Sequence, residues 1–153
     1  MLLPVYLGLL QRSETVLADS FRTVAEGHAA EVDVYHLAHT LARQCDEHAA
    51  AAATAVALFP KPGHGEEPSH FDPKPITSTR EGPAGLLRDL QDLYMLAGLV
   101  GTSWTLVMQA AKGLQDSTLL EVATDCFEQT EVQVAWLTTK LKSAAEQALL
   151  IAS

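Results

Sequence analysis

The stretch LYMLAGLVGTSWTLVMQAA, from Leu93 to Ala111, contains no ionisable side chain and lies between Asp92 and Lys112. Its apolar residues recur at helical spacing around most of the circumference, which predicts a helix covered on most sides. Its length only just meets the ~20 apolar residues of a membrane span. Gly98 and Gly101 interrupt it, and its acidic flank carries no basic pair to orient a span. We therefore expect a helix of a soluble bundle and no membrane partner.

Three further segments show helical periodicity, and no long segment alternates with the period of a strand. The expected helices cover about 4–27, 33–58, 84–114 and 118–150. A chain of 153 residues has the length of one ordinary domain with a sizeable core. We predict a single all-α domain over residues 1–153, folded as a four-helix bundle.

The connection between the second and third helices has a different composition. Residues 60–83, PKPGHGEEPSHFDPKPITSTREGP, hold six of the seven prolines and show no helical stripe. This segment can reach up to ~80 Å at ~3.3 Å per residue, whereas a helix of ~28 residues is only ~42 Å long. The pattern predicts two antiparallel helical hairpins joined by a long crossover loop that travels the length of the bundle.

Short matches between the two halves indicate an internal repeat. SETVL (13–17) and SWTLV (103–107) occupy like places in the first and third helices. QCDEH (44–48) and DCFEQ (125–129) do so in the second and fourth. The matches suggest a doubled hairpin with pseudo-twofold symmetry.

With this architecture the chain resembles the ferritin-like superfamily over nearly its whole length, in a branch of bacterial type without a complete set of di-iron motifs. The resemblance implies that the first and third helices would each give a Glu ligand. The second and fourth would each give Glu-x-x-His, a spacing that places both groups on one face of a helix. Carboxylates and imidazoles of this kind suit iron or manganese.

The chain departs from that ligand pattern at most positions. The first helix offers Glu14, either as a surviving ligand or as a carboxylate at the border of the core that reaches water. The third has Trp104 where the second Glu is expected. The second helix has Cys45-x-x-His48, and the fourth has Cys126-x-x-Gln129. A complete di-iron site therefore cannot be assembled.

We expect Cys45, His48 and Cys126 to point inward, with Glu14 nearby. Thiolates with imidazole are zinc ligands, so these four residues are the candidate metal site, with iron or zinc as the cofactor. Alternatively, the cysteines form a redox-responsive disulfide, or they are small hydrophobic residues of the core. We favour the last interpretation, in which no cofactor is bound.

The charge and the motifs of the chain argue against several classes of function. Nineteen acidic against ten basic residues give a net charge of −9, which disfavours nucleic acid as a partner. The two cysteines and the absence of a signal-peptide pattern predict a cytoplasmic protein with reduced thiols. No nucleophile motif or phosphate-binding loop is present, so we do not expect an enzyme.

The uncharged third helix also predicts a partner. Four helices of this length cannot cover a helix that is apolar nearly all round, so we expect a homodimer along it. Partial exposure, or cover from the proline-rich loop, is the alternative. The inner face is expected to hold Leu86, Leu90, Leu93, Ala97, Val100, Trp104, Met108 and Ala111, and other faces to hold Met95, Leu96, Leu99, Leu106 and Val107.

Two hypotheses for the function follow. In the first, the chain is a non-catalytic ferritin-like bundle with a degenerate metal site, which acts as a dimeric binding or structural, stress-related protein. In the second, it is a metal-binding protein of the same fold with an altered ligand set.

Overall fold

The structure is a computed structural model that describes residues 1–61 and 72–151. In this part of the chain, four α-helices form and no strand does, so the all-α prediction is confirmed. The helices are α1 (Leu3–Gly27), α2 (Val32–Val56), α3 (Gly82–Leu114) and α4 (Ser117–Glu146), and a π-helical turn at Gln147–Ile151 follows α4 directly.

Local signals explain several helix ends. Pro4 and Pro83 stand in the first turns of α1 and α3, where the missing N–H has no intrahelical partner to lose. Gln115 adopts a left-handed conformation with φ of 56° and ends α3. Asp116 then caps α4 by accepting a 3.0 Å hydrogen bond from the Leu119 amide. The turn between α3 and α4 is therefore very short.

The helices pack mainly as α1 with α2, α3 with α4, and α1 with α3, and α2 meets α4 less extensively. Early residues of one helix meet late residues of its neighbour. His39 of α2 lies 2.8 Å from Glu26 of α1, and His48 of α2 lies 2.8 Å from Glu14 of α1. Both α2 and α3 run antiparallel to α1, since His28 at the end of α1 contacts Asp89 near the start of α3.

The connection between α2 and α3 follows α1. Asp72 pairs with Arg12 at 3.0 Å, and the Ile76 amide donates to Ser20 Oγ at 3.0 Å. Thr79 packs against the Cα of Gly27, at the end of α1. Residues 62–71 of the predicted crossover loop lie outside the described residues. The described portion runs toward the C-terminal end of α1, and α3 begins within the predicted loop, at Gly82.

The buried carboxylate of Asp89 holds the end of this connection in place through hydrogen bonds. Asp89 of α3 is fully buried, and its Oδ2 lies 2.7 Å from His28 Nε2 and accepts a 3.0 Å hydrogen bond from the Arg80 amide. Arg80 Nη1 donates to Asp89 Oδ1 at 2.8 Å. The Arg80 backbone also lies directly over Gly85, where a Cβ would approach its carbonyl carbon to 2.6 Å. These contacts join α1, the connection and α3 at one end of the molecule.

The inner face of α3 is a stripe with alternating spacings of three and four residues. Its members, each at most 1% exposed, are Leu90, Leu93, Ala97, Val100, Trp104, Val107 and Ala111. Val107 was expected on another face of α3. That expectation was wrong, because the spacing directs Val107 toward the core beside Tyr6 of α1. Met108, expected inside, is only partly buried.

Candidate functional site: a buried carboxylate and imidazole

Three helices bring polar side chains together inside the bundle. Glu14 comes from α1, His48 from α2 and Gln129 from α4. Glu14 Oε2 lies 2.8 Å from His48 Nδ1. His48 Nε2 donates to Gln129 Oε1 at 2.7 Å. The imidazole therefore connects a carboxylate on one side with an amide on the other.

The pair lies at the core, whereas the amide reaches the surface. Glu14 is 0% exposed and His48 is 4% exposed, and Gln129 is exposed. The interpretation of Glu14 as a carboxylate at the border of the core that reaches water was wrong. Both α2 and α3 pack against α1.

Several buried polar atoms in the described part of the chain, including those of this pair, lack a well-aligned hydrogen bond. They are Ser13 Oγ, both carboxylate oxygens of Glu14, His48 Nδ1 and Trp104 Nε1. The Glu14–His48 contact is therefore an ion pair by distance, while its direction is poor for a hydrogen bond. Buried polar atoms are usually satisfied, so this layer of the core is energetically costly.

Burial and the mutual contact shift the proton affinities of the pair. Burial raises the pKa of Glu14, although His48 acts in the opposite direction. Burial lowers the pKa of His48, but Glu14, Gln129 and Glu47 together more than offset this, so the net pKa is raised. Both shifts favour retention of a proton. The pair thus holds its proton more tightly than free Glu and His side chains would.

The two cysteines are buried free thiols. Cys45 Sγ lies 3.8 Å from Gln133 Oε1, and the Gln133 amide nitrogen donates to Gln44 at 2.7 Å. Burial raises the pKa of Cys45 far above its usual range, and it raises the pKa of Cys126 to about 12. The thiolate is the nucleophile and the metal ligand, so both cysteines are held in their unreactive form.

The structure brings only part of the predicted metal set together. Glu14 and His48 are in contact, Cys45 lies one turn before His48 on α2, and Cys126 lies on α4. Over residues 1–61 and 72–151, no group of three or more His, Cys, Asp or Glu side chains is placed to hold a metal ion. Both His48 nitrogens already face a partner, so the arrangement does not fit the di-iron pattern. Metal binding by this set stays a prediction.

Sequence reasoning missed Gln129 as the partner of His48. The repeat contained the signal, because His48 and Gln129 are the last residues of QCDEH and DCFEQ. The observed 2.7 Å hydrogen bond joins these two equivalent places of the predicted repeat. The sequence contained no corresponding signal for Gln133 beside Cys45.

A second feature lies on the outside of α3. Met95, Leu99, Thr102 and Leu106 recur at spacings of four, three and four residues and form what we call the outer stripe. Met95 is 73% exposed and Leu106 is 52% exposed. By length and composition α3 could cross a membrane, a property that it shares with core helices of soluble proteins.

No protein-family model, curated protein or solved structure matches the chain. The ferritin-like resemblance therefore stays a prediction from the residues and the architecture.

Proposed function

We propose that this chain is a non-catalytic, ferritin-like helical bundle that acts in the cytoplasm as a homodimer, in a binding or structural, stress-related role. The observation that carries the proposal is the environment of His48. Its two ring nitrogens face Glu14 and Gln129, where a metalloenzyme of this architecture would present ligands to a metal.

The ferritin-like part of the proposal is supported by helix direction and by the repeat. Both α2 and α3 run antiparallel to α1, and the described end of their connection follows α1. This is the direction of chain expected for two hairpins joined by a crossover. The hydrogen bond between His48 and Gln129 joins equivalent positions of the two hairpins, as a duplicated hairpin requires.

The non-catalytic part is supported by the chemistry of the buried groups. A general acid or base must reach substrate, but Glu14 is fully enclosed. A nucleophilic or metal-binding cysteine must lose its proton, and burial opposes this at Cys45 and Cys126. The buried polar layer is therefore best explained as a structural feature inherited with the architecture.

The test of this proposal is the metal content of protein purified without an affinity tag. We expect well under one iron or zinc per chain, and no iron-oxo absorption band, after incubation with either metal. The second candidate function, metal binding, is favoured by the unsatisfied oxygens of Glu14. Stoichiometric metal that is lost on His48→Ala but kept on His36→Ala, a change at an exposed histidine, would establish that function instead.

The homodimer is supported by the outer stripe of α3. Large apolar side chains that recur along one face of a helix favour cover by another helix. Light scattering on gel-filtered protein is expected to give the mass of two chains. Met95→Glu should give the mass of one chain, whereas Val132→Glu, at an exposed apolar residue of α4, should leave the dimer intact. A wild-type mass of one chain would exclude the dimer.

A further inference from the structure

We infer that the cavity between the end of α1 and the start of α3 binds a small primary alkylamine, whose ammonium group donates hydrogen bonds to His28 Nδ1 and the Glu31 carboxylate. The inference rests on the binding role in the proposed function and names the class of ligand. It is carried by the cavity, by an unpartnered nitrogen in its wall and by the charges around it.

The cavity has a volume of about 520 Å³ and lies where α1 ends, α3 begins and α4 changes to its π-helical turn. Small-molecule sites typically occupy about 300–1,000 Å³ and combine apolar walls with a few polar groups. Here Pro83, Leu86 and Ala144 supply an apolar wall. Gln147, the first residue of the π-helical turn, also lines the cavity, and such turns are frequent at functional sites.

His28 presents a hydrogen-bond acceptor to this cavity. Its side chain is only 8% exposed, and its Nε2 lies 2.7 Å from Oδ2 of the buried Asp89. The Asp89 carboxylate also accepts from the amide and the guanidinium of Arg80, and a carboxylate only accepts, so Nε2 carries the ring hydrogen. Nδ1 is then the acceptor of the neutral ring. It has no hydrogen-bond partner among the described residues and is not one of the fully enclosed unpartnered atoms, so it is open to the cavity that His28 lines.

The charged groups at the cavity favour a cation over an anion. Glu31 is exposed, lines the cavity and forms no ion pair in the described part of the chain. Lys140 lines the cavity as well, but its ammonium group pairs with Asp33. The N-terminus of α3 is a second positive group, reduced by one N–H at Pro83. The net charge of −9 also raises the local concentration of cations.

A primary alkylamine matches both the acceptors and the apolar wall. Its ammonium group carries three N–H donors, so it can serve His28 Nδ1 and Glu31 together, and such charge-assisted hydrogen bonds are stronger than neutral ones. Its alkyl part would lie against Pro83 and Leu86. A metal ion is a poorer match, because no group of three or more His, Cys, Asp or Glu side chains in the described residues is placed to hold one.

A titration of the full chain with n-butylamine, followed by NMR at pH 8, tests the inference. At this pH an ordinary imidazole is neutral and an alkylamine is protonated. We expect saturable shifts of the His28 Nδ1 resonance and of the Glu31 and Gln147 amides. Tetramethylammonium, which has the same charge but no N–H donor, should leave these resonances unchanged, and so should acetate.

A matched pair of variants locates the ammonium group without removing the partner of Asp89. Glu31→Gln should weaken the binding of n-butylamine roughly tenfold, the value of one hydrogen bond to a charged group. Glu121→Gln, which makes the same change at an exposed acid near the start of α4, should leave the binding unchanged.

Four outcomes would overturn the inference. An equal response to tetramethylammonium would mean that charge alone attracts the cation, and a response to acetate but not to n-butylamine would make the cavity an anion site. No saturable response, or equal binding by Glu31→Gln and wild type, would exclude the proposed contacts. These readouts are independent of the mass and of the metal content of the protein, which test the proposed function, so failure of one proposal is distinguishable from failure of the other.

Discussion

At the scale of single residues, the carboxyl group of Glu14 is enclosed beside the imidazole of His48. Breaking a buried pair by removing one partner typically costs about 3–5 kcal/mol, because an uncompensated charge remains. Replacing both partners with apolar residues of similar volume is often nearly neutral. The pair therefore contributes little net stability, whereas the substitution of one partner alone is expected to be strongly destabilising.

We accordingly predict that His48→Ala lowers the free energy of unfolding by about 3–5 kcal/mol, measured by urea denaturation at neutral pH. The double change Glu14→Leu with His48→Leu should cost less than His48→Ala alone. His36→Ala, at an exposed histidine, should stay within about 0.5 kcal/mol of wild type. A double variant less stable than His48→Ala would show that the pair contributes net stability.

The same pair predicts a dependence of stability on pH. Both pKa values are raised in the folded chain, so the folded state binds more protons than the unfolded state. The contribution of His48 is fully present below its ordinary pKa of 6.5 and is lost as the pH rises through its raised value. Glu14 acts in the same way from its ordinary pKa of 4.5. The His48 contribution should therefore make stability fall from about pH 6.5 upward, by at most about 1.4 kcal/mol per pH unit for one proton.

Glu14→Gln isolates this effect from the other titrating groups, among them Asp46, which raises the pKa of Glu14 further. Without the carboxylate, burial keeps His48 neutral and the slope above pH 6.5 should flatten. Urea denaturation of both proteins between pH 6 and pH 9 measures the difference. Equal slopes in the two proteins would mean that the pair does not titrate in this range.

The residues of this site were only partly predictable from the sequence. The helical period placed Cys45 and His48 on the inner face of α2, and both are buried. Period alone could not place Glu14, because a residue at the edge of a stripe is buried or exposed according to which helix packs beside it. In the structure His48 of α2 lies beside Glu14, and these two residues are far apart in the chain.

At the scale of elements, the starts of the helices agree with prediction to within two residues. Proline marks the starts of α1 and α3 and Asp116 caps α4, whereas no side chain caps α2. The ends of the first three helices agree equally well, and the difference lies at the end of the fourth. The fourth helix was expected to continue to about residue 150, whereas α4 ends at Glu146 and changes to a π-helical turn. The sequence at this point contains no glycine or proline that would signal a change.

The start of α3 offers a test of close packing between an element and its connection. Gly→Ala in a helix usually gains about 1 kcal/mol, but at Gly85 the new Cβ would approach the Arg80 carbonyl oxygen to 2.8 Å. Backbone cannot yield as a flexible side chain can, so Gly85→Ala should lower the free energy of unfolding by about 1–2 kcal/mol. Thermal and urea unfolding would both report this loss.

Gly113 of the same helix is the matched control, since a Cβ there meets nothing within 4 Å. Gly113→Ala should raise the free energy of unfolding by up to about 1 kcal/mol. If Gly85→Ala were equally stabilising, the contact between the connection and α3 would be looser than the structure indicates.

At the scale of the whole molecule, α3 contributes one face to the core and the opposite face to the surface of the protein. The inner stripe of α3 packs in the core, and the outer stripe exposes Met95 and Leu106. The sequence predicted both surfaces from the missing charges between Leu93 and Ala111. It could not place every residue between them, since the boundary depends on how closely α1 and α4 approach. Folding and the proposed self-association thus depend on opposite faces of the same element.

A substitution at Gly98 distinguishes the role of α3 in folding from its role in the proposed self-association. It flanks the outer stripe one turn from Met95 and Thr102, and a Cβ there meets nothing within 4 Å of its own chain. In the monomeric Met95→Glu background, Gly98→Ala should therefore raise the free energy of unfolding by up to about 1 kcal/mol. In the wild-type background, the added methyl group would stand between the paired helices and hold them apart.

We expect Gly98→Ala to weaken the dimer roughly fivefold, which corresponds to about 1 kcal/mol, when dissociation is followed by sedimentation across a dilution series. Gly113→Ala, which lies beyond the outer stripe, should leave the dissociation constant unchanged. One substitution would then strengthen the fold and weaken the assembly. A dissociation constant that Gly98→Ala does not change would place the partner helix away from this face, because a closely packed interface cannot accept an added methyl group without cost.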